Sequence, residues 1–323
     1  MRKSERRLRI TGQLIDAQSG AHLWVDRFDG ELRDIFELQD EIANRVVGAI
    51  APRLKQAETD RVRGKPTESL QAYDYYLRGR ACFHRERQDT NADAMRQFAK
   101  AIERDPEFAS AYGMAAQCYS QRLRAGWMTD RPKERAEARR LAWRAAELGK
   151  DDAFALAVSG GVLALVVHEV EAGAELIDRA LALNPNIAFG WGSSAWVRVW
   201  LGEPELAIEH ALRGMRLSPR DPQIHMMQTG VAFAHFIAAN YDLAVSWAER
   251  SLCEMPHYQG TLRVLAASHA LAGRIDRAQS VMAKMRALNP DMRISDLKDL
   301  VPFRRSDDFA RYTSGLHLAG LPR

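Results

Sequence analysis

The chain has 323 residues, of which 46 are Lys or Arg and 42 are Asp or Glu, giving a formal net charge of +4. With 46% apolar and 27% charged residues it has ordinary globular usage, which excludes a disordered, collagen-like or disulfide-scaffold chain. Both signs of charge are spread along the sequence, so no polycationic face for nucleic acid is expected. The longest apolar run, Val162 to Val167, is far shorter than the roughly 20 residues of a bilayer span. Behind the charged start Met1 to Arg9 there is no apolar stretch of a secretion signal, so no membrane partner and a cytoplasmic location are the expectations.

Near the N-terminus, Leu8, Ile10 and Leu14 alternate with Arg7, Arg9 and Gln13. Asp16 to Gly20 marks a turn, and Leu23 to Phe28 returns, so the pattern predicts a β-hairpin over 7–28. Ile35, Leu38, Ile42, Val46 and Ile50 then recur at helical spacing, predicting a helix over about 34–56 with Asp34 as its N-cap. Residues 57–66 read as a linker. One hairpin and one helix cannot form an independent core, so 1–66 reads as a partial α/β segment.

From residue 67 the chain is periodic. Pro185, Pro219, Pro256 and Pro290 follow one another at intervals of 34, 37 and 34 residues, each just after a helical stretch. Small residues precede them at fixed offsets: Ala94, Phe98 and Ala101 before Pro106; Gly173, Ile177 and Ala180 before Pro185; Ala207, Ala211 and Gly214 before Pro219; Ala244, Ala248 and Ser251 before Pro256; Ala278, Met282 and Met285 before Pro290. Ala138, Ala142 and Ala145 fit the same frame with Lys150 in place of the proline. Small residues at these points let two helices of a hairpin approach closely.

This pattern resembles the tetratricopeptide repeat. The resemblance implies a mostly α fold: a right-handed α-solenoid of about six helix hairpins over 67–290, at about 73–106, 107–150, 154–185, 188–219, 222–256 and 257–290. It also implies a concave groove lined by the first helix of each hairpin. Mapped onto this sequence, the groove positions are Val158, Val162 and Leu165; Phe189, Trp196 and Val199; and Met226, Phe233 and Phe236. All nine are apolar, while the sixth hairpin offers Gly260, Arg263, Ala267 and Ala270 and so limits the apolar stripe to the middle of the array. The expected partner is a protein or peptide with an apolar or amphipathic segment, a cyclase domain or a second copy of this chain being the candidates. A groove covered by superhelical curvature, by the C-terminal tail or by a dimer partner is the equal alternative.

After Pro290 the period stops. Residues 291–323 read as a capping segment, with Phe309, Tyr312, Leu316 and Leu318 able to cover the last repeat. The stretch Leu8 to Asp29, the stretch Lys65 to Tyr76 and the tail Leu300-Val-Pro-Phe-Arg-Arg305 resemble the C-terminal region of bacterial class III adenylate/guanylate cyclases. In that family the catalytic domain would lie before residue 1. The resemblance therefore implies a non-catalytic scaffold or regulatory module from a truncated or split gene, with a cyclase fragment or subunit, or the sensor part of a winged-helix regulator, as alternatives.

No motif argues for chemistry. Gly64-Lys-Pro-Thr67 lacks the upstream glycine of a phosphate loop. His168-Glu169 has no second histidine in zinc-site spacing, and Cys82, Cys118 and Cys253 form no CxxC pair. No cofactor, metal or catalytic residue is expected, and the basic cluster Arg2, Lys3, Arg6, Arg7 and Arg9 reads as a solvated strand edge.

Overall fold

The computed structural model describes residues 7–15, 22–31 and 72–323, with side chains from residue 72 onward. Strands β1 (Arg7–Ile15) and β2 (His22–Glu31) pair antiparallel, with Leu8 opposite Gly30 and Leu14 opposite Trp24. The turn between them, the helix expected over 34–56 with its Asp34 cap, and the linker 57–66 lie outside the described residues.

Twelve helices then form six antiparallel hairpins: α1 (Ala72–Phe83) with α2 (Gln88–Arg104), α3 (Ala109–Ala125) with α4 (Arg131–Leu148), and α5 (Ala153–Val162) with α6 (Val170–Leu183). The series continues with α7 (Ala188–Leu201) and α8 (Pro204–Leu217), α9 (Ile224–Ile237) and α10 (Tyr241–Glu254), and α11 (Gln259–Leu271) and α12 (Ile275–Leu288). Two more helices, α13 (Leu297–Leu300) and α14 (Ser306–Leu318), follow.

The hairpins close where the sequence supplies small residues. Ala94, Ala101, Ala138, Ala142, Ala145, Ala180, Ala207, Ala211, Ala244, Ala248, Ser251 and Ala278 have no exposed surface. The tightest approach is in the third hairpin, where a Cβ added to Gly173 would stand 2.5 Å from the Gly160 carbonyl oxygen. Thr229, Ser251 and Thr261 show how a hydroxyl is tolerated at such a point. Their hydroxyl oxygens stand 2.6–3.0 Å apart, within hydrogen-bond reach of one another, and Ser251 donates to the His225 carbonyl at 2.9 Å.

The prolines end the second helices through the residue before them. Asp105, Asn184, Ser218, Met255 and Asn289 each sit in extended or near-extended backbone immediately ahead of a proline. The proline ring disfavours the helical region for its predecessor, so the helix stops there. In α4, which lacks the proline, the chain stops instead at Gly149, where any Cβ would meet Ala155 and Ala109 at under 3 Å.

First helices of successive hairpins pack side by side, α3 on α5, α5 on α7, α7 on α9 and α9 on α11, and so make one continuous inner face. The face curves far enough for α3 to touch α11 directly. Across the same gap the Gln223 amide donates to Glu86 at 3.3 Å. Helix α5 is prolonged by a π-helical turn, Leu163–Val167, and ends at His168 in the left-handed conformation (φ 67°).

Residues 291–323 depart from the expected end cap. Tyr312 and Leu316 are buried as expected and Phe309 is partly buried, but Leu318 is 48% exposed. Helix α14 lies on α11, where Gly315 meets the Ala267 backbone, and the residues before it run back along the inner face to the second, third and fourth hairpins. The physical reason is the larger apolar surface available there: Phe233 and Phe236 of α9 would otherwise face water.

Candidate functional site: the inner face and its C-terminal strap

The strap, residues 297–318, is held by contacts to four hairpins. Asp299 accepts from Arg131 at 2.7 Å and Arg135 at 3.2 Å, both on α4. The Asp299 carbonyl faces His168 Nε2 at 3.2 Å, the contact toward which the π-helical turn extends α5. Arg304 grips Glu171 with both arms of its guanidinium, at 2.6 and 2.5 Å, and the His168 carbonyl at 2.9 Å. Its backbone amide donates to the Trp200 carbonyl at 2.8 Å. Arg305 reaches the carbonyl of Gly202, and Arg311 that of Ile237. The apolar counterpart is a ring cluster: Tyr312 lies 5.4 Å from Phe233, 5.7 Å from Phe236 and 6.0 Å from Phe303, with centroid spacings that suit tilted and edge-on aromatic pairs.

Burial changes the acid–base groups of this seam. His168 is depressed below its ordinary value, first by burial and then by the Arg135 charge. Burial alone would raise Asp299, but its bonds to Arg135 and Arg131 outweigh that and hold its carboxyl below the usual range. Asp308, in the first turn of α14, is raised by burial, and its carboxylate stands 3.6 and 3.8 Å from Arg311 and Arg305, beyond hydrogen-bond reach.

Beside the strap the inner face forms a half-open cavity of about 110 Å³, with walls from α3, α5, α7, α9, α11 and the strap residues Leu300 and Val301. Of the nine groove positions expected from sequence, Leu165, Phe189, Trp196, Met226 and Phe233 line it. Trp196 is fixed by a bond from its indole N–H to the Met226 carbonyl at 3.1 Å and by the Phe233 ring at 5.4 Å. Val158, Val162, Val199 and Phe236 do not line it: all four have no exposed surface. Val158 shows why, since its side chain fills the space over Gly113 of the preceding hairpin and so packs between helices. Phe236 is covered by Tyr241 and Tyr312.

Sequence reasoning missed the polar part of this cavity. Gln117, Ser120 and Arg124 come from α3, Asp221 and Gln223 from the loop before α9, Tyr258 from the turn before α11, and Arg263 from α11 itself. Burial raises the Tyr258 hydroxyl above its ordinary value against the charges of Arg124 and Arg263. Arg263 is the exception, since the repeat spacing gives Gly260, Arg263, Ala267 and Ala270 as the groove positions of the sixth hairpin, and Gly260 and Arg263 line the cavity.

Among the described residues no group of three His, Cys, Asp or Glu side chains is placed to hold a metal ion, and no helix is long and apolar enough to cross a membrane.

Stacked hairpins of this period, with small residues at the crossing points and prolines at the exits, define the tetratricopeptide-repeat fold. No family model matches the chain. A 112-residue stretch is 33% identical to the "Putative adenylate cyclase 3" of Rhizobium meliloti (strain 1021), covering 35% of this chain and 19% of that protein. The chain therefore spans about a fifth of the length of that curated relative. Among solved structures, the APC/C hetero-tetramer Cut9–Hcn1 aligns over 89% of this chain and 49% of its own, with a TM-score of 0.57 and 14% identity. A monomeric IFIT1 mutant with Gppp-AAAA aligns over 73% of this chain and 56% of its own, with the same score and identity. At these identities the likeness is one of fold.

Proposed function

We propose that the chain is a non-catalytic, protein-binding regulatory module, in which the inner face of the solenoid recognises a short apolar segment flanked by arginine and aspartate. The observation that carries this reading is the strap. One segment of polypeptide lies across the inner face, its rings on Phe233 and Phe236 and its charges on side chains of the second and third hairpins. A surface that grips its own tail in this manner has the chemistry to grip a similar segment of another protein. The partial identity to a cyclase supports a nucleotide-cyclase catalytic domain as the partner it regulates.

A fluorescently labelled peptide of residues 297–318, titrated into the chain shortened to residue 296, tests the reading. Saturable binding is expected, with loss when Phe303 and Tyr312 of the peptide are both serine. Equal binding of the two peptides, or none, would remove the inner face as a recognition surface. The cyclase setting has its own assay: cyclic nucleotide production by a class III catalytic domain should change on titration with the full chain, and unchanged output at saturation argues against that partner.

A further inference from the structure

The cavity beside the strap has a feature that peptide recognition does not use. Arg263 is 5% exposed and lines the cavity, yet among the described residues it takes part in no ion pair. There its Nε has no acceptor, its Nη1 finds only the weak acceptor Met292 Sδ at 4.0 Å, and the Tyr312 hydroxyl that its charge acts on is a neutral group. A buried cation without a carboxylate to balance it is costly to the fold, so a group kept in that state points to a counter-charge supplied by a ligand. Two further buried donors of the lining, Ser120 Oγ and Trp200 Nε1, also have no partner among the described residues. The charged lining is two arginines, Arg124 and Arg263, against one carboxylate, Asp221, whose Oδ1 already accepts from the Gln223 amide at 2.9 Å. The remaining wall combines the neutral polar residues Gln117, Gln223 and Tyr258 with an apolar side of Phe189, Trp196, Met226 and Phe233.

We propose that this cavity is a binding site for a small aromatic monocarboxylate, its carboxylate on Arg263 and Ser120 and its ring against Trp196, Phe233 and Met226. The size agrees: about 110 Å³ is on the scale of the roughly 150 Å³ engineered apolar cavity that takes one benzene. An arginine fork matches a carboxylate with two parallel hydrogen bonds, a role that the guanidinium of Arg263 can take beside the apolar part of the lining. The site is independent of the peptide-recognition reading, because it uses the space that the strap leaves free. Leu300 and Val301 form part of its wall, so an occupant would also touch the strap.

Calorimetric titration of the full chain with benzoate, phenylacetate and 3-phenylpropionate, each beside its own amide, tests the proposal. At least one acid should bind saturably, at least tenfold more tightly than its amide, and Arg263→Gln should abolish that difference. Gly161→Leu should block binding of both acid and amide, since Gly161 lines the cavity and has room for a side chain, its added Cβ meeting nothing closer than Ser193 Oγ at 3.6 Å. The acid–amide comparison on the unaltered chain decides the matter even if a variant fails to fold. Absence of saturable binding by all three acids up to about 10 mM, or equal affinity for acid and amide, would overturn the proposal.

Discussion

The backbone amide of Arg304 donates to the carbonyl of Trp200 at 2.8 Å, joining positions 104 residues apart in sequence. That carbonyl belongs to the last turn of α7, where intrahelical partners run out. The strap therefore satisfies a helix end of the fourth hairpin while the Arg304 side chain ties down the third through Glu171 and His168. Contacts of this kind make the C-terminal segment part of the solenoid's inner wall.

Tyr312 is the apolar anchor of the strap. Its side chain has no exposed surface and touches Phe233, Phe236 and Phe303, whereas its hydroxyl makes no well-formed hydrogen bond among the described residues and has only the nearby Arg263 guanidinium acting on it. Tyr312→Ala should destabilise the chain by about 3–5 kcal/mol in urea unfolding, as expected for an emptied aromatic site. Tyr312→Phe should change stability by less than about 1 kcal/mol, because no good hydrogen bond is lost. A large loss in the phenylalanine variant would show that the hydroxyl is bonded.

Gly173 tests the hairpin crossing. Alanine is the better helix former by about 1 kcal/mol, but here its Cβ would stand 2.5 Å from the Gly160 carbonyl and 2.9 Å from the Ala164 Cβ. Gly173→Ala should therefore lower stability by about 1–3 kcal/mol. A stabilised variant, by thermal melt, would contradict the close approach.

Acid should loosen the strap. Asp299 is depressed in the folded chain, so the stability it contributes is present above its unfolded value and is lost as pH falls through the folded one. His168, depressed by burial and by Arg135, stays neutral when folded; below about pH 6.5 the unfolded chain takes up the proton and stability drops in the same direction. The melting temperature should fall between pH 7 and pH 4, and the fall should be shallower in Asp299→Asn. Equal slopes in the two proteins would show that this carboxylate is not linked to docking.

The three cysteines should separate by reactivity. Cys118 is fully buried, and burial raises its thiol far above the ordinary value, so the reactive thiolate is scarce. Cys253 is exposed and Cys82 is half-buried. In native protein a thiol reagent should label Cys253 first and spare Cys118 until denaturant is added; early labelling of Cys118 would mean that α3 opens readily.

The repeat was legible because it is local. Small residues such as Ala94, Ala207 and Gly214 and the pre-proline stops recur at fixed offsets, and each reflects a contact within one hairpin or with its neighbour. Cover of the groove by the C-terminal tail was one of the alternatives the sequence left open, but the contacts that hold the strap were not legible, because Asp299 meets Arg131 across 168 residues and Arg304 meets Glu171 across 133, and no period relates such pairs. The groove was legible only in part for a similar reason. Family spacing places Trp196 and Met226 on the inner face, but whether Val158 or Phe236 faces the open space or a neighbouring helix depends on the size of what lies opposite, Gly113 in one case and Tyr312 in the other. The repeat spacing places Arg263 on the inner face of the sixth hairpin, but that it lacks a carboxylate partner there depends on residues distant in sequence.

Amide hydrogen exchange of the full chain, read residue by residue over 297–318, tests the central claim most directly. If the strap is docked along the inner face, the Arg304 amide should exchange with protection comparable to that of α7 and α9, and α14 should be protected with it. Exchange of Arg304 at the rate of an unstructured peptide, with α7 and α9 still protected, would contradict the account, since it would leave the inner face open and the strap unbound.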